Sequence, residues 1–127
     1  MVRAILAGDM ATASALQEAL SPLFGIVTVK ADSARVLPDG TTVTVQDKFR
    51  NPIAIKTLMN ALGMSAGPAR QPLGKMNSEG VDVVRNAART VWSKNPEILA
   101  PIGEFYGVDI EARINEDSVW AQLSYPM

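Results

Sequence analysis

Only two stretches of this chain have β-type chemistry, and they limit its fold more than any other feature. Gly25-Ile26-Val27-Thr28-Val29-Lys30 and Thr41-Thr42-Val43-Thr44-Val45-Gln46 are rich in β-branched residues. Pro38-Asp39-Gly40 between them is turn chemistry. The spacing predicts a two-stranded ribbon, with residues 31–37 irregular before the turn. Two strands alone are marginal in water, so the ribbon must lean on helices. The expected fold class is mainly α with a small two-stranded β-ribbon.

The helices are marked by caps and by apolar spacing. Asp9 is a good N-cap for a helix over 9–24, with Ala13, Leu16, Leu20, Leu23 and Phe24 on one face. Pro22 should end or bend it. Residues 1–7 read as the tail of an earlier helix. Asn51-Pro52 opens a helix with Ile55, Leu58, Met59 and Leu62 as its buried stripe, and Gly63-Met64 resembles a Schellman stop. Residues 64–76, with two prolines and two glycines, form an extended connector. Asn77 or Ser78 caps a helix to about Lys94, with Val81, Val84, Ala88 and Val91 inward. Asn95-Pro96 repeats the cap for a helix ending near Gly107, with Ile98, Leu99, Ile102, Phe105 and Tyr106 apolar and a kink at Pro101. Trp120, Leu123 and Tyr125 should pin one or two final helical turns.

Composition narrows the chemistry. The 127 residues, 47% hydrophobic and 20% charged, suit one globular domain. With no Cys and no His, Ser-His-Asp and Cys-His catalysis and the common zinc sites are excluded. No cofactor or metal is expected, and a metal would need to be oxygen-ligated Mg²⁺ or Ca²⁺. No apolar run is long enough to span a membrane, and the N-terminus does not read as a signal peptide, so a cytoplasmic location is expected. Charge is uneven. Residues 51–94 carry +4 (Lys56, Arg70, Lys75, Arg85, Arg89 and Lys94 against Glu79 and Asp82), while residues 95–127 carry −5. Intramolecular pairing and a solvated surface explain this better than nucleic-acid binding, because the aromatics are few and not interleaved with the bases.

The most specific signal is an ordered set of short motifs. Asn51-Pro52-Ile53-Ala54-Ile55-Lys56, then Leu62-Gly63, then Arg70-Gln71-Pro72-Leu73, resembles the NP-[IL]-x-[VIL]-K … LG … R-x-P-L signature near the C-terminus of the dihydrodipicolinate synthase / N-acetylneuraminate lyase family. The preceding AILAGDMATASALQEALSPLF resembles the helix after that family's last barrel strand, and residues 77–125 are similar to the longer tail of some members. The resemblance implies a (β/α)₈-barrel enzyme that joins pyruvate to a barrel lysine as a Schiff base and makes or breaks a carbon–carbon bond. Such a barrel needs about 200 residues or more and eight strands. This chain matches only the portion beyond the eighth strand. The implied organisation is a last barrel-type helix region at 1–24, a β-ribbon insertion at 25–50 and a C-terminal helical cap at 51–127, forming one structural unit. The implied partners are the missing barrel portion or homologous subunits, with pyruvate bound only by the complete enzyme.

Under this reading the chain carries no catalytic residue. Lys56 and Arg70, within the matching motifs, are the candidates for shaping the site. Three other features are decoys. Gly40-Thr41-Thr42 spells the family's carboxylate loop but sits in a turn on the wrong side of the signature. Lys30 stands on a strand, but only 21 residues before Asn51, too few for the intervening βα units. The pairs Asp109/Glu111 and Glu116/Asp117 stand at spacings that do not converge on a helix, so capping and solvation explain them. The chain is expected to be inactive alone. The competing reading is a stand-alone, non-catalytic oligomerisation or binding module.

Overall fold

The computed structural model describes residues 1–126. It is mainly helical, with one small antiparallel sheet of two strands and no closed barrel among the described residues. The helices are α1 (Val2–Leu6), α2 (Met10–Gly25), α3 (Ile53–Ala61), α4 (Ser78–Lys94), α5 (Ala100–Tyr106), α6 (Ile110–Asn115) and α7 (Asp117–Ala121). A 3₁₀ turn, Pro96–Ile98, precedes α5. The strands are β1 (Val29–Val36) and β2 (Thr42–Phe49), paired from Val29↔Phe49 to Val36↔Thr42.

Helix α4 is the hub. Its inward face holds Val81, Val84, Ala88 and Val91, as the spacing predicts, and adds Gly80 and Arg85. Against it pack α2, β1, α3, the 3₁₀ turn, α6 and α7. One continuous core results, including Val29, Leu58, Leu62, Met76, Leu99, Ile114 and Trp120. Burying a side chain of Leu or Ile size contributes about 1.5–3 kcal/mol, so this cluster carries most of the fold's stabilisation.

The local caps form where the sequence places them. The side chain of Asp9 accepts from the Thr12 N–H at 3.0 Å, and that of Asn77, not Ser78, accepts from the Gly80 N–H at 2.9 Å. At Gly63, φ is +91°. The Met64 N–H reaches the Met59 carbonyl at 2.9 Å and the Gly63 N–H reaches that of Asn60 at 3.1 Å, which is the Schellman pair.

Other expectations are corrected. β1 starts at Val29, not Gly25, and runs straight through the stretch expected to be irregular. Its inward residues there are Ala31 and Ser33, small enough to sit close to α4 but invisible to a β-branched criterion. In α3 the buried residues are Ile53, Ala54, Thr57, Leu58 and Ala61, while Ile55 and Met59 are only partly covered. The helix is rotated because α4 approaches on the side of its small residues. Asn51 does not cap α3. Pro52 occupies the cap position with no side-chain bond, and its carbonyl accepts from the Lys56 N–H at 2.9 Å. Pro22 does not end α2, which continues to Gly25. The expected helix over 95–107 is divided, because Pro101 has no N–H for the ladder and sits instead in the first turn of α5. Phe105 is 81% exposed and stacks edge-on with Tyr106 rather than entering the core.

The C-terminal turns are pinned as Trp120 suggests. Its ring is buried and its Nε1–H donates to the Arg113 carbonyl at 3.0 Å. Leu123 is partly buried against the core. Tyr125 holds by its backbone, whose N–H donates to the Met76 carbonyl at 3.0 Å, while its ring stays half exposed.

Candidate functional site

A cleft of about 290 Å³ lies between α3, the connector and the C-terminal turn. Ile53, Lys56, Thr57 and Asn60 form the helical wall, Gly67, Pro68, Ala69, Gly74 and Lys75 the connector wall, and Gln122 and Leu123 the third side. Asn60 ties the connector down by donating to the Gly67 carbonyl at 3.0 Å and accepting from the Ala66 N–H at 3.1 Å. Two ammonium groups line the cleft. Lys56 Nζ donates to the Pro68 carbonyl at 2.9 Å, and Lys75 Nζ to the Gln122 carbonyl at 2.7 Å. No Asp or Glu among the described residues lines it.

Lys56 therefore links the NPIAIK motif to the connector just before the RQPL motif, with its head on the connector backbone at Pro68. Arg70 is exposed, does not line the cleft and makes no side-chain hydrogen bond or ion pair among the described residues. The two candidates named by the motifs are thus not brought together. The second cation at the cleft is Lys75, which sequence reasoning did not single out. Nothing local marks it, because its partner carbonyl lies 47 residues further along. Beside it, Tyr125 Oη accepts from the Gln71 side chain at 3.2 Å. The Lys75 backbone N–H, first, and the Gln71 amide hold this phenol below the usual tyrosine range. Gly74, at φ +59°, makes room: a Cβ there would lie 2.0 Å from Tyr125 Oη.

Three further polar clusters are structural. Arg85, buried on α4, donates to the carbonyls of Ile114 (2.9 Å) and Asn115 (2.6 Å) and to Asp117 Oδ1 (2.7 Å). Arg113 donates to the carbonyls of Ala61 (2.6 Å) and Asn60 (3.0 Å). Each guanidinium thus donates to carbonyls at a helix C-terminus, Arg85 for α6 and Arg113 for α3, where the Asn60 carbonyl also accepts from the Gly63 N–H. Asp47 on β2 accepts from Ser33 (2.6 Å), Arg35 (2.6 Å) and Asn77 (3.0 Å), and so fastens the ribbon to the start of α4. The Arg35 bond, then the Ser33 bond, hold its carboxyl below the ordinary carboxylate range.

The decoys occupy ordinary positions. Gly40 is at φ +84° in the hairpin turn, with Thr41 and Thr42 exposed beside it. Lys30 is an exposed strand residue paired in register with Lys48. Asp109 caps α6 by accepting from the Ala112 N–H at 2.9 Å, and Asp117 is the partner of Arg85. That pair is the one ion pair joining the basic and acidic stretches among the described residues, so the expected intramolecular pairing is realised once. No group of three or more His, Cys, Asp or Glu converges among the described residues. Chemically the cleft offers cationic donors and apolar walls, with no carboxylate beside a nucleophile among the described residues. Comparison with protein-family models, with curated proteins and with solved structures returns no match to this chain.

Proposed function

We propose that this chain is the C-terminal portion of a dihydrodipicolinate synthase-like, pyruvate-dependent lyase. In this reading it supplies a helical cap and subunit contacts, and the Schiff-base lysine belongs to a barrel portion outside it. The observation that carries the reading is an unmet apolar surface on the first two helices. α1 buries nothing, and α2 fully buries Ala13 and partly covers Leu16, Leu20 and Leu23, while Val2, Ile5, Leu6, Met10 and Phe24 stand exposed. Helices patterned to lie against a missing layer have this appearance, and large exposed apolar patches mark contact surfaces. The Lys56–Pro68 bond supports it further by giving the spaced motif a physical reason, since the motif's lysine holds the connector that carries its second half. Lys56 acts through the connector, as a positioning residue. Arg70, with its guanidinium unengaged, is the residue left to meet a partner.

Two experiments test this reading. The coding DNA immediately upstream should read, in frame, into strand–helix units with a strand-borne lysine, and an unrelated upstream sequence overturns it. Incubation of the isolated chain with pyruvate and borohydride should leave its mass unchanged. A covalent adduct would show that the chain holds its own Schiff-base lysine. The exposed face also supports a second reading, a stand-alone oligomerisation module. There the chain would form oligomers that dissociate reversibly on dilution, whereas a chain that stays monomeric at high concentration and binds no hydrophobic dye counts against both readings.

A further inference from the structure

We propose that the α3–connector cleft is a binding site for a small organic carboxylate, held between the ammonium groups of Lys56 and Lys75. This does not rest on the lyase reading. Four observations carry it. The cleft is of ligand size, about 290 Å³. Both lysines that line it are oriented by backbone carbonyls, at 2.9 and 2.7 Å, so their heads are placed before any ligand arrives. An ammonium has three donors, and each carbonyl uses one, leaving the others to face an acceptor. Finally, no carboxylate lines the cleft, and neither lysine has an ion-pair partner among the described residues.

The wall chemistry selects the ligand class. Ile53, Pro68, Ala69 and Leu123 contribute apolar lining to the same cleft. A compact inorganic anion would leave that surface unused. An aliphatic body carrying one carboxylate satisfies both, with its oxygens on the ammonium donors and its carbons against the apolar wall. Charge complementarity supplies orientation, and wall contact supplies the preference for an organic anion. Of the other polar side chains, Asn60 is tied to the connector and Thr57 Oγ1 donates to the Ile53 carbonyl at 2.9 Å, while Gln122 adds an amide to the lining. The charged contacts are the two lysines.

The test is an amide-resolved NMR titration of the full chain with sodium hexanoate at low ionic strength. Hexylamine and inorganic phosphate serve as controls. Saturable shifts confined to Lys56, Gly67, Ala69, Lys75 and Leu123 are expected, with no saturation by hexylamine and weaker binding of phosphate. K56Q and K75Q should each weaken hexanoate binding about fivefold, the scale of one partly exposed charged contact. Lys75 is exposed, so K75Q reports on binding without disturbing the core, and unchanged shifts elsewhere in its spectrum verify the fold. Shifts scattered over the surface, equal response to hexylamine, phosphate binding at least as tightly, or hexanoate affinity unchanged in K75Q would each overturn the proposal.

Discussion

The two ends of this molecule are both rich in apolar residues and treat them oppositely. From α3 onward the helices bury their small and branched residues around α4, and two of their C-terminal ends are closed by an arginine from another helix. The α1–α2 arm carries a comparable apolar complement, yet Leu6 is 82% exposed and Met10 60%. Amphipathic spacing therefore states that a face wants covering, and leaves open whether the same chain provides the cover. The later helices have α4 to lean on. Of the first two, α2 also packs on α4, while α1 rests chiefly on α2.

If polar closure of helix ends underlies the self-sufficient half, replacing Arg85 should be the most damaging single change. R85A strands the carbonyls of Ile114 and Asn115 and should lower the urea-unfolding free energy by about 2–4 kcal/mol. The contribution resides in those carbonyls and not in the ion pair, because Asp117 is 91% exposed on its side chain. D117N should accordingly cost no more than about 1 kcal/mol, and equal losses in the two variants would contradict this division. G103A comes next. A Cβ on Gly103 would lie 2.7 Å from the Val108 carbonyl, backbone that cannot swing away, so about 1–3 kcal/mol should be lost.

Acid sharpens the contrast between the ribbon and the core. The Asp47 carboxyl is held below its unfolded range near 3.8, so its contribution is complete above that pH and is lost as pH falls through the depressed value. Hydrogen exchange at the β1–β2 amides should accelerate in that window while the amides of α4 stay protected. D47N should largely abolish the pH step, and a step of unchanged size in D47N would assign it to another carboxyl. The smallest expected effect belongs to the arm. I5E with L6E should change unfolding free energy by less than about 0.5 kcal/mol, since neither side chain is buried, while reducing light scattering at high concentration. A large destabilisation would mean the arm is part of the core after all.

The features legible in the sequence are those that a few neighbouring residues decide. The caps at Asp9 and Asn77 and the stop at Gly63 each need only three to five residues, and all three form. The two-stranded ribbon and its turn are likewise legible, because Pro38-Asp39-Gly40 acts locally. The inward run of β1 is hidden because Ala31 and Ser33 are small for a reason supplied by α4, not by the strand. The face of α3 is misjudged for the same cause, its burial being set by where α4 lies. Arg85 and Arg113 look like members of a diffuse charge pattern, since their carbonyl partners stand 29 and 52 residues away. The cleft is hardest to read, because its three walls come from separate parts of the chain and only Ile53 and Lys56 fall within a recognisable motif.

The connector between α3 and α4 has a practical corollary. Residues 65–73 are mostly exposed, while the segments on either side are anchored, Leu62 in the core before them and Met76 after. A single cut there by a protease would sever the polypeptide without releasing either piece, since α3 and β1 would still lie on α4. The molecule is thus a natural candidate for reconstitution from two complementary halves, and the cleft, formed across that seam, would report whether they had rejoined.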